Sequence, residues 1–195
     1  MHKNTLFLSF FLLIFVSCNE KRIKEENNIS NQKINHRNTI DKTFDLTGIF
    51  NQHYKVSIQE NKIKINTNKP ITIINIFNPF STLSYTHMKS LNQLQKEYHQ
   101  NIFTLSLSLE DTTKKRLLEL TATYNLNYLI VNTTPESKNL AILLKKQISY
   151  TKNYILPLTI VYLKGKYFTY YEGIVPLEMM RYDLTEAEKN LKSKK

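Results

Sequence analysis

The spacing of apolar and polar positions changes along the chain and marks out its elements. Leu6 to Val16 is one apolar stretch broken only by Ser9, after which Asn19 to about Lys42 is built from Asn, Lys, Glu, Gln and Ser with isolated Ile. Order returns at Phe44-Asp45-Leu46. Tyr54, Val56 and Ile58 then alternate with polar residues, as do Ile63 and Ile65, with Glu60-Asn61 between the two runs. This period of two around a turn predicts a β-hairpin. After Pro70, the residues Ile71, Ile73, Ile74, Ile76 and Phe77 form a nearly continuous β-branched and aromatic run, the pattern of a strand buried on both faces. Asn78-Pro79 stops it. From Ser84 onward Met88, Leu91, Leu94 and Tyr98 recur at helical spacing, opposite Lys89, Gln93, Lys96 and Glu97.

The alternation continues downstream. Phe103, Leu105, Leu107 and Leu109 are set against Ile102, Thr104, Ser106 and Ser108, which predicts a half-buried strand. Glu110 to Thr113 supplies capping residues for a helix that aligns Leu117, Leu120 and Tyr124. A short strand at Tyr128 to Val131 precedes a helix from about Glu136 to Ile148, with Leu140, Leu143, Leu144 and Ile148 inward. Leu158 to Leu163 and Lys166 to Glu172 form a second hairpin that turns on Gly165; its aromatics Tyr162, Tyr167, Phe168, Tyr170 and Tyr171 are the packing of a sheet. Gly173 to Pro176 leads into a last helix, and Thr185-x-x-Glu188 has the spacing of a capping box, predicting a break near Asp183. Strands alternating with helices imply an α/β fold, a mixed central sheet with helices on both faces.

Composition narrows the function. The 195 residues fit one domain with appendages, and 27 Lys and Arg against 16 Asp and Glu give a formal charge of +11. The basic residues are dispersed without a run of five, the pattern of a solvated basic surface and not of a nucleic-acid partner. Three glycines and no GxGxxG or P-loop pattern leave no phosphate cradle. His36, His53 and His99 are scattered without ligand spacing, so neither a metal nor another cofactor is expected. His2 and Lys3 before Leu6–Val16 read as an export signal, too short for the ~20 residues of a membrane span. Phe15-Val16-Ser17-Cys18 resembles a bacterial lipobox, which implies that Cys18, the one cysteine, carries lipid such as palmitate. The expected organisation is a signal at 1–17, the lipidated Cys18 and a flexible tether at 18–43, a domain at 44–182 and a basic helix or tail at 183–195.

The segment Asn75-Ile76-Phe77-Asn78-Pro79-Phe80-Ser81-Thr82-Leu83-Ser84, at a strand's carboxyl end and a helix's amino end, carries a further resemblance. It is similar to the strand-to-helix segment Asn-Phe-Trp-Ala-Thr-Trp-Cys-x-x-Cys of the membrane-anchored thioredoxin-like proteins of the TlpA/ResA type. On that register Ser81 and Ser84 stand where the family has its two cysteines. The likeness implies a thioredoxin-like fold with an N-terminal β-hairpin, a cis bond at Leu156-Pro157, and a peptide-binding groove of Phe80, Thr82, Leu83, Leu156 and Pro157. Thiol–disulfide exchange needs an attacking thiolate and a resolving sulfur, and serine hydroxyls supply neither. The expectation is therefore a non-catalytic, envelope-facing lipoprotein that binds exported polypeptides as an adaptor or holdase. Two alternatives stand beside it: an accessory, partnered with an envelope redox protein, in thiol–disulfide exchange or cytochrome c maturation, and a structural lipoprotein whose basic surface meets anionic lipid or polymer. A serine nucleophile would need a nearby base. His87 is expected to point to solvent from the helix, and Ser84 to serve as the helix N-cap.

Overall fold

The computed structural model of the chain describes residues 41–60, 62–148 and 154–192. Cys18, the signal segment and the tether up to residue 40 lie outside the described residues, as does the end of the basic tail at 193–195. The described chain begins with β1 (Asp41–Thr47), β2 (His53–Gln59) and β3 (Lys62–Ile65), followed by β4 (Ile71–Phe77) and α1 (Thr82–Glu97). Next come β5 (Ile102–Ser108), α2 (Lys114–Thr123), β6 (Leu129–Val131) and α3 (Pro135–Gln147), then β7 (Leu158–Leu163), β8 (Lys166–Glu172) and α4 (Leu177–Lys192).

The strands form an eight-stranded sheet in the order β1-β2-β3-β8-β7-β4-β5-β6. It is mixed, as expected: β4, β5 and β6 are parallel, while β7 runs antiparallel to β4. All seven residues of β4 are buried, since strands flank it on both sides and side chains cover both of its faces. Successive residues feed two separate cores. Ile71, Ile73 and Phe77 pack with Met88, Leu91 and Leu94 of α1, Leu117 of α2 and Met180, Leu184 and Ala187 of α4. Ile74 and Ile76 face the other way, into a core shared by Leu140, Ala141 and Leu144 of α3 with Phe44, Leu46, Val56 and Ile58. The sheet curls around α3. Gly48, just past β1, bridges Val131 of β6, and the Ile49 N–H donates to the Ile130 carbonyl at 2.9 Å, so the first and last strands meet. At the other junction β3 holds β8 through one register pair, Lys62 with Lys166, and through the Ile63 N–H to the Gly165 carbonyl at 2.8 Å.

Three expectations are corrected by these contacts. The strand β1 takes in residues 41–43, assigned above to the tether; they pair in register with Gln59, Ile58 and Ser57, so ladder bonds order a polar stretch that has no apolar signal of its own. The strand β5 is buried on both faces, because β4 and β6 flank it and the Thr104, Ser106 and Ser108 face is covered as well. The helix α4 runs without a break through the proposed boundary at 182/183. The Thr185 hydroxyl donates to the Arg181 carbonyl one turn back, at 2.9 Å, so Thr185 is no cap, and Leu184 and Ala187 are buried on the same stripe as Met180. The capping-box spacing that does operate is at α3, where Thr134 and Ser137 exchange side-chain-to-backbone bonds and Pro135 opens the helix.

Candidate functional site

The loop from Asn78 to Ser81 joins the carboxyl end of β4 to α1 and is held from several sides. The Asn78 carboxamide oxygen accepts the Phe80 N–H at 2.8 Å, an Asx turn that closes the loop on itself. Tyr85, one turn into α1, donates its hydroxyl to the Pro79 carbonyl and stacks on Tyr124 with ring centroids 5.3 Å apart. Burial pushes the Tyr85 phenol above its usual range, so it stays a donor. Arg116 of α2 lies 4.9 Å from the centre of the Phe80 ring and steadies an aromatic side chain that is 57% exposed.

Ser81 and Ser84 occupy different environments. Ser81 is the N-cap of α1, half-buried, and its side chain makes no capping bond. Ser84, expected to be that cap, is instead inside the first turn and fully buried, where its Oγ accepts the Asn78 N–H at 3.3 Å. Leu83, between them, is 56% exposed. Across the site, Leu156-Pro157 is a cis peptide as expected, with Pro157 buried, Leu156 half-buried and Ile155 exposed. The Gly173 N–H donates to the Pro157 carbonyl at 2.8 Å. The N–H and C=O of Leu156 have no hydrogen-bond partner among the described residues.

His87 does not point to solvent. Its ring is completely buried, and its Nε2 lies 2.7 Å from the hydroxyl of Thr159, two residues past Pro157. Burial alone holds the imidazole neutral, its pKa lowered to about 4. The tautomer follows from the partners: Thr159 donates its proton to Asn75 Oδ1 at 3.3 Å, so it accepts from His87, and Nε2 carries the hydrogen. The Asn75 amide donates to Ser106 Oγ at 3.0 Å, and longer contacts of 3.5 Å run on to the Tyr128 hydroxyl and from it to the Met88 carbonyl. A directed polar circuit thus leaves α1 at His87, crosses β7, β4 and β5, and returns to α1 at Met88. His87 and Thr159 were missed as site residues. The signal available was the lone polar residue in an otherwise apolar buried run: Asn75 in Ile73–Phe77 and Thr159 in Leu158–Val161.

This arrangement decides what the site can do. His87 Nδ1 has no hydrogen-bond partner among the described residues, Ser81 and Ser84 included, and Nε2 is committed to Thr159. Among the described residues no histidine or carboxylate is hydrogen-bonded to either hydroxyl, the contact by which a serine would be activated. The exposed side chains of the loop and the first turn of α1 are Phe80, Thr82 and Leu83, with Leu156 half-buried and Pro157 buried on the neighbouring loop.

No protein-family model matches the chain, and no curated protein matches it. Solved structures do. A thio-disulfide isomerase from Thermus thermophilus superposes with a TM-score of 0.51 at 17% identity, over 75% of this chain and 92% of that one. StoA from Bacillus subtilis gives 0.52 at 10% identity, over 75% and 98%. A secreted disulfide oxidoreductase from Mycobacterium tuberculosis gives 0.51 at 10%, over 73% and 95%. Likeness at these identities concerns the fold alone. The chain has a thioredoxin-like fold: a mixed sheet flanked by helices, with the paired strands β1 and β2 added at its amino end.

Proposed function

We propose that this thioredoxin-like domain is a redox-inactive binding module of the cell envelope, held to a membrane by lipid on Cys18. In this reading Ser81 and Ser84 occupy the places of a cysteine pair, and the surface of Phe80, Thr82, Leu83, Leu156 and Pro157 receives extended, apolar stretches of exported polypeptides. The observation that carries it is a Leu156 backbone with no partner among the described residues, at the end of the sheet where Ile76 of β4 pairs with Leu158 of β7 and where Phe80, Leu83 and Ile155 are exposed. An extended peptide would pair its backbone with Leu156 and set its side chains on those apolar groups, recognition by strand addition. Hydroxyls at positions 81 and 84 would let the peptide leave unmodified.

Two measurements on the full chain test this reading. A fluorescent, cysteine-free apolar peptide is expected to bind in a way that salt barely affects, and Leu83→Asp to weaken it about tenfold, the scale of a buried apolar anchor. The native chain is expected to be inert in insulin reduction, and a Ser81→Cys, Ser84→Cys double variant to acquire dithiol activity. Peptide binding untouched by Leu83→Asp would remove the groove from the account. A folded double variant that stays inert would remove the register.

A further inference from the structure

Lysines that are scattered in sequence are gathered in space at the opposite end of β4 from the loop just described. A cleft opens where β3 parts from β8, and Lys62, Lys64, Lys69 and Lys164 line it with no carboxylate among its walls. Lys166 stands directly across from Lys62 in the ladder. Like charges facing each other across a strand pair are destabilising. Lys62, Lys64, Lys164 and Lys166 are all exposed, and none has an ion pair among the described residues. Lys69 is fixed differently: its ammonium donates to the His99 and Gln100 carbonyls at 2.8 and 3.1 Å. The neighbouring acids are Glu188, whose carboxylate accepts the Asn101 amide at 2.6 Å and borders an adjoining cavity with Lys164, Glu60 on the next turn, and Asp41, whose backbone pairs with Gln59; the lysines still outnumber them.

We propose that this lysine-walled end of the sheet docks on an anionic phospholipid surface. The exposed cations are flexible ammonium groups from two chain segments, Lys62 and Lys64 on one and Lys164 and Lys166 on the other, with no arginine fork among the cleft's walls, so they match a spread of headgroup charge better than a single phosphate. Tyr167, beside Lys166 and 40% exposed, adds the amphipathic ring that favours the headgroup layer. The described chain also starts here, since Asp41 pairs with Gln59, which lines the cleft. On the lipid-anchor reading proposed above, the chain before residue 41 would join the domain at the end that would lie on the bilayer. The strand β4 separates this end from the Phe80–Ser84 loop by ~20 Å, at about 3.3 Å per residue, so docking turns the apolar loop away from the membrane. The inference stands apart from the peptide reading and holds or fails with the groove empty.

The test uses the chain from residue 18 onward carrying Cys18→Ser, so that neither acylation nor the apolar stretch Leu6–Val16 contributes, and measures co-sedimentation with vesicles rich in phosphatidylglycerol or made of phosphatidylcholine alone. Binding to the anionic vesicles only, lost at high salt, is expected. Each lysine is worth about fivefold in partitioning, so K62Q/K64Q/K164Q/K166Q is expected to lower it by a factor on the order of several hundred. K89Q/K96Q/K115Q/K146Q, which removes the same formal charge elsewhere, is expected to bind much more strongly than the cleft variant. Equal losses in the two variants would mean net charge alone acts, and would overturn the proposal. So would displacement by inorganic phosphate at matched ionic strength where chloride has no effect, which would mark a site for a soluble anion. The chain has no tryptophan, so single probes report orientation. Brominated lipid is expected to quench Tyr167→Trp and to leave Phe80→Trp bright; the reverse pattern would overturn the docking geometry.

Discussion

His87 is a titratable group that folding keeps uncharged, and this makes its contribution to stability depend on pH. Unfolded, a histidine protonates near its ordinary value of about 6.5, whereas in the fold burial lowers that to about 4. Between those values the unfolded chain binds the extra proton, so stability is complete above the unfolded pKa and falls as pH drops through this window. The loss by the lower end is about 3 kcal/mol. Urea denaturation from neutral pH to about pH 4 is expected to show it, with His87→Gln flattening the slope while lowering the neutral plateau; an unchanged slope would assign the effect to other groups. Glu97 is held below the usual carboxylate range chiefly by its bonds to Arg181 and so acts at lower pH. The two loop serines are also expected to separate. Ser84→Ala strands the Asn78 N–H and is expected to cost about 1 kcal/mol in chemical denaturation. Ser81→Ala removes a hydroxyl that makes no cap bond and is expected to be close to neutral.

At the level of elements, the first turn of α3 shows a stabilising unit that can be isolated. The Thr134 hydroxyl accepts the Ser137 N–H at 3.1 Å while the Ser137 hydroxyl accepts the Thr134 N–H at 2.8 Å. Thr134→Ala is expected to cost about 1 kcal/mol, and Ser137→Ala a similar amount. The double variant should cost less than their sum, because each bond positions the other, and additive losses would show the two bonds to be independent. Local signals of this kind account for what was legible beforehand. The nearly continuous apolar run of β4 and the helical spacing of Met88, Leu91 and Leu94 are one-dimensional patterns that the buried strand and covered helix face reproduce. Partners fixed by distant segments were not legible. Thr104, Ser106 and Ser108 read as a solvent face because the side chains that cover them come from elsewhere in the chain. The same reason sent His87 to solvent: its partner, Thr159, is 72 residues away. At Thr185 the spacing of a capping box was present, yet Leu184 and Ala187 bury the stripe that continues the helix, and packing overrides the cap. In the lysine-lined cleft, dispersal along the sequence concealed convergence in space.

For the whole described domain, the sheet is continuous but unevenly joined. The β3–β8 junction depends on a turn in which Lys164 and Gly165 both have positive φ, and a Cβ at Gly165 would lie 2.4 Å from the Ile63 carbonyl oxygen. Gly165→Ala is expected to cost on the order of 2 kcal/mol. Hydrogen exchange should locate the damage, with the Ile63 amide losing protection while Ile73 in β4 keeps it; uniform loss at both would mean that the junction does not open separately. The meeting of Gly48 with Val131 has another consequence, for what each face of the sheet can tolerate. With the ends of the sheet in contact around α3, the core holding Ala141 is enclosed by strands as well as by the helix. The opposite face is covered by helices alone, α4 being fastened at its rim by Arg181 to Glu97 and Asp183 to Tyr171. Ala141→Leu should then carry the full penalty of overpacking, about 1–3 kcal/mol in urea denaturation. Ala187→Leu, at an equally buried position on α4, is expected to cost less, because only rim side-chain bonds and no strand oppose an outward displacement of that helix; equal costs would show the two faces to be alike. Sequence variation that enlarges the domain's interior therefore has more room on one side of the sheet than on the other.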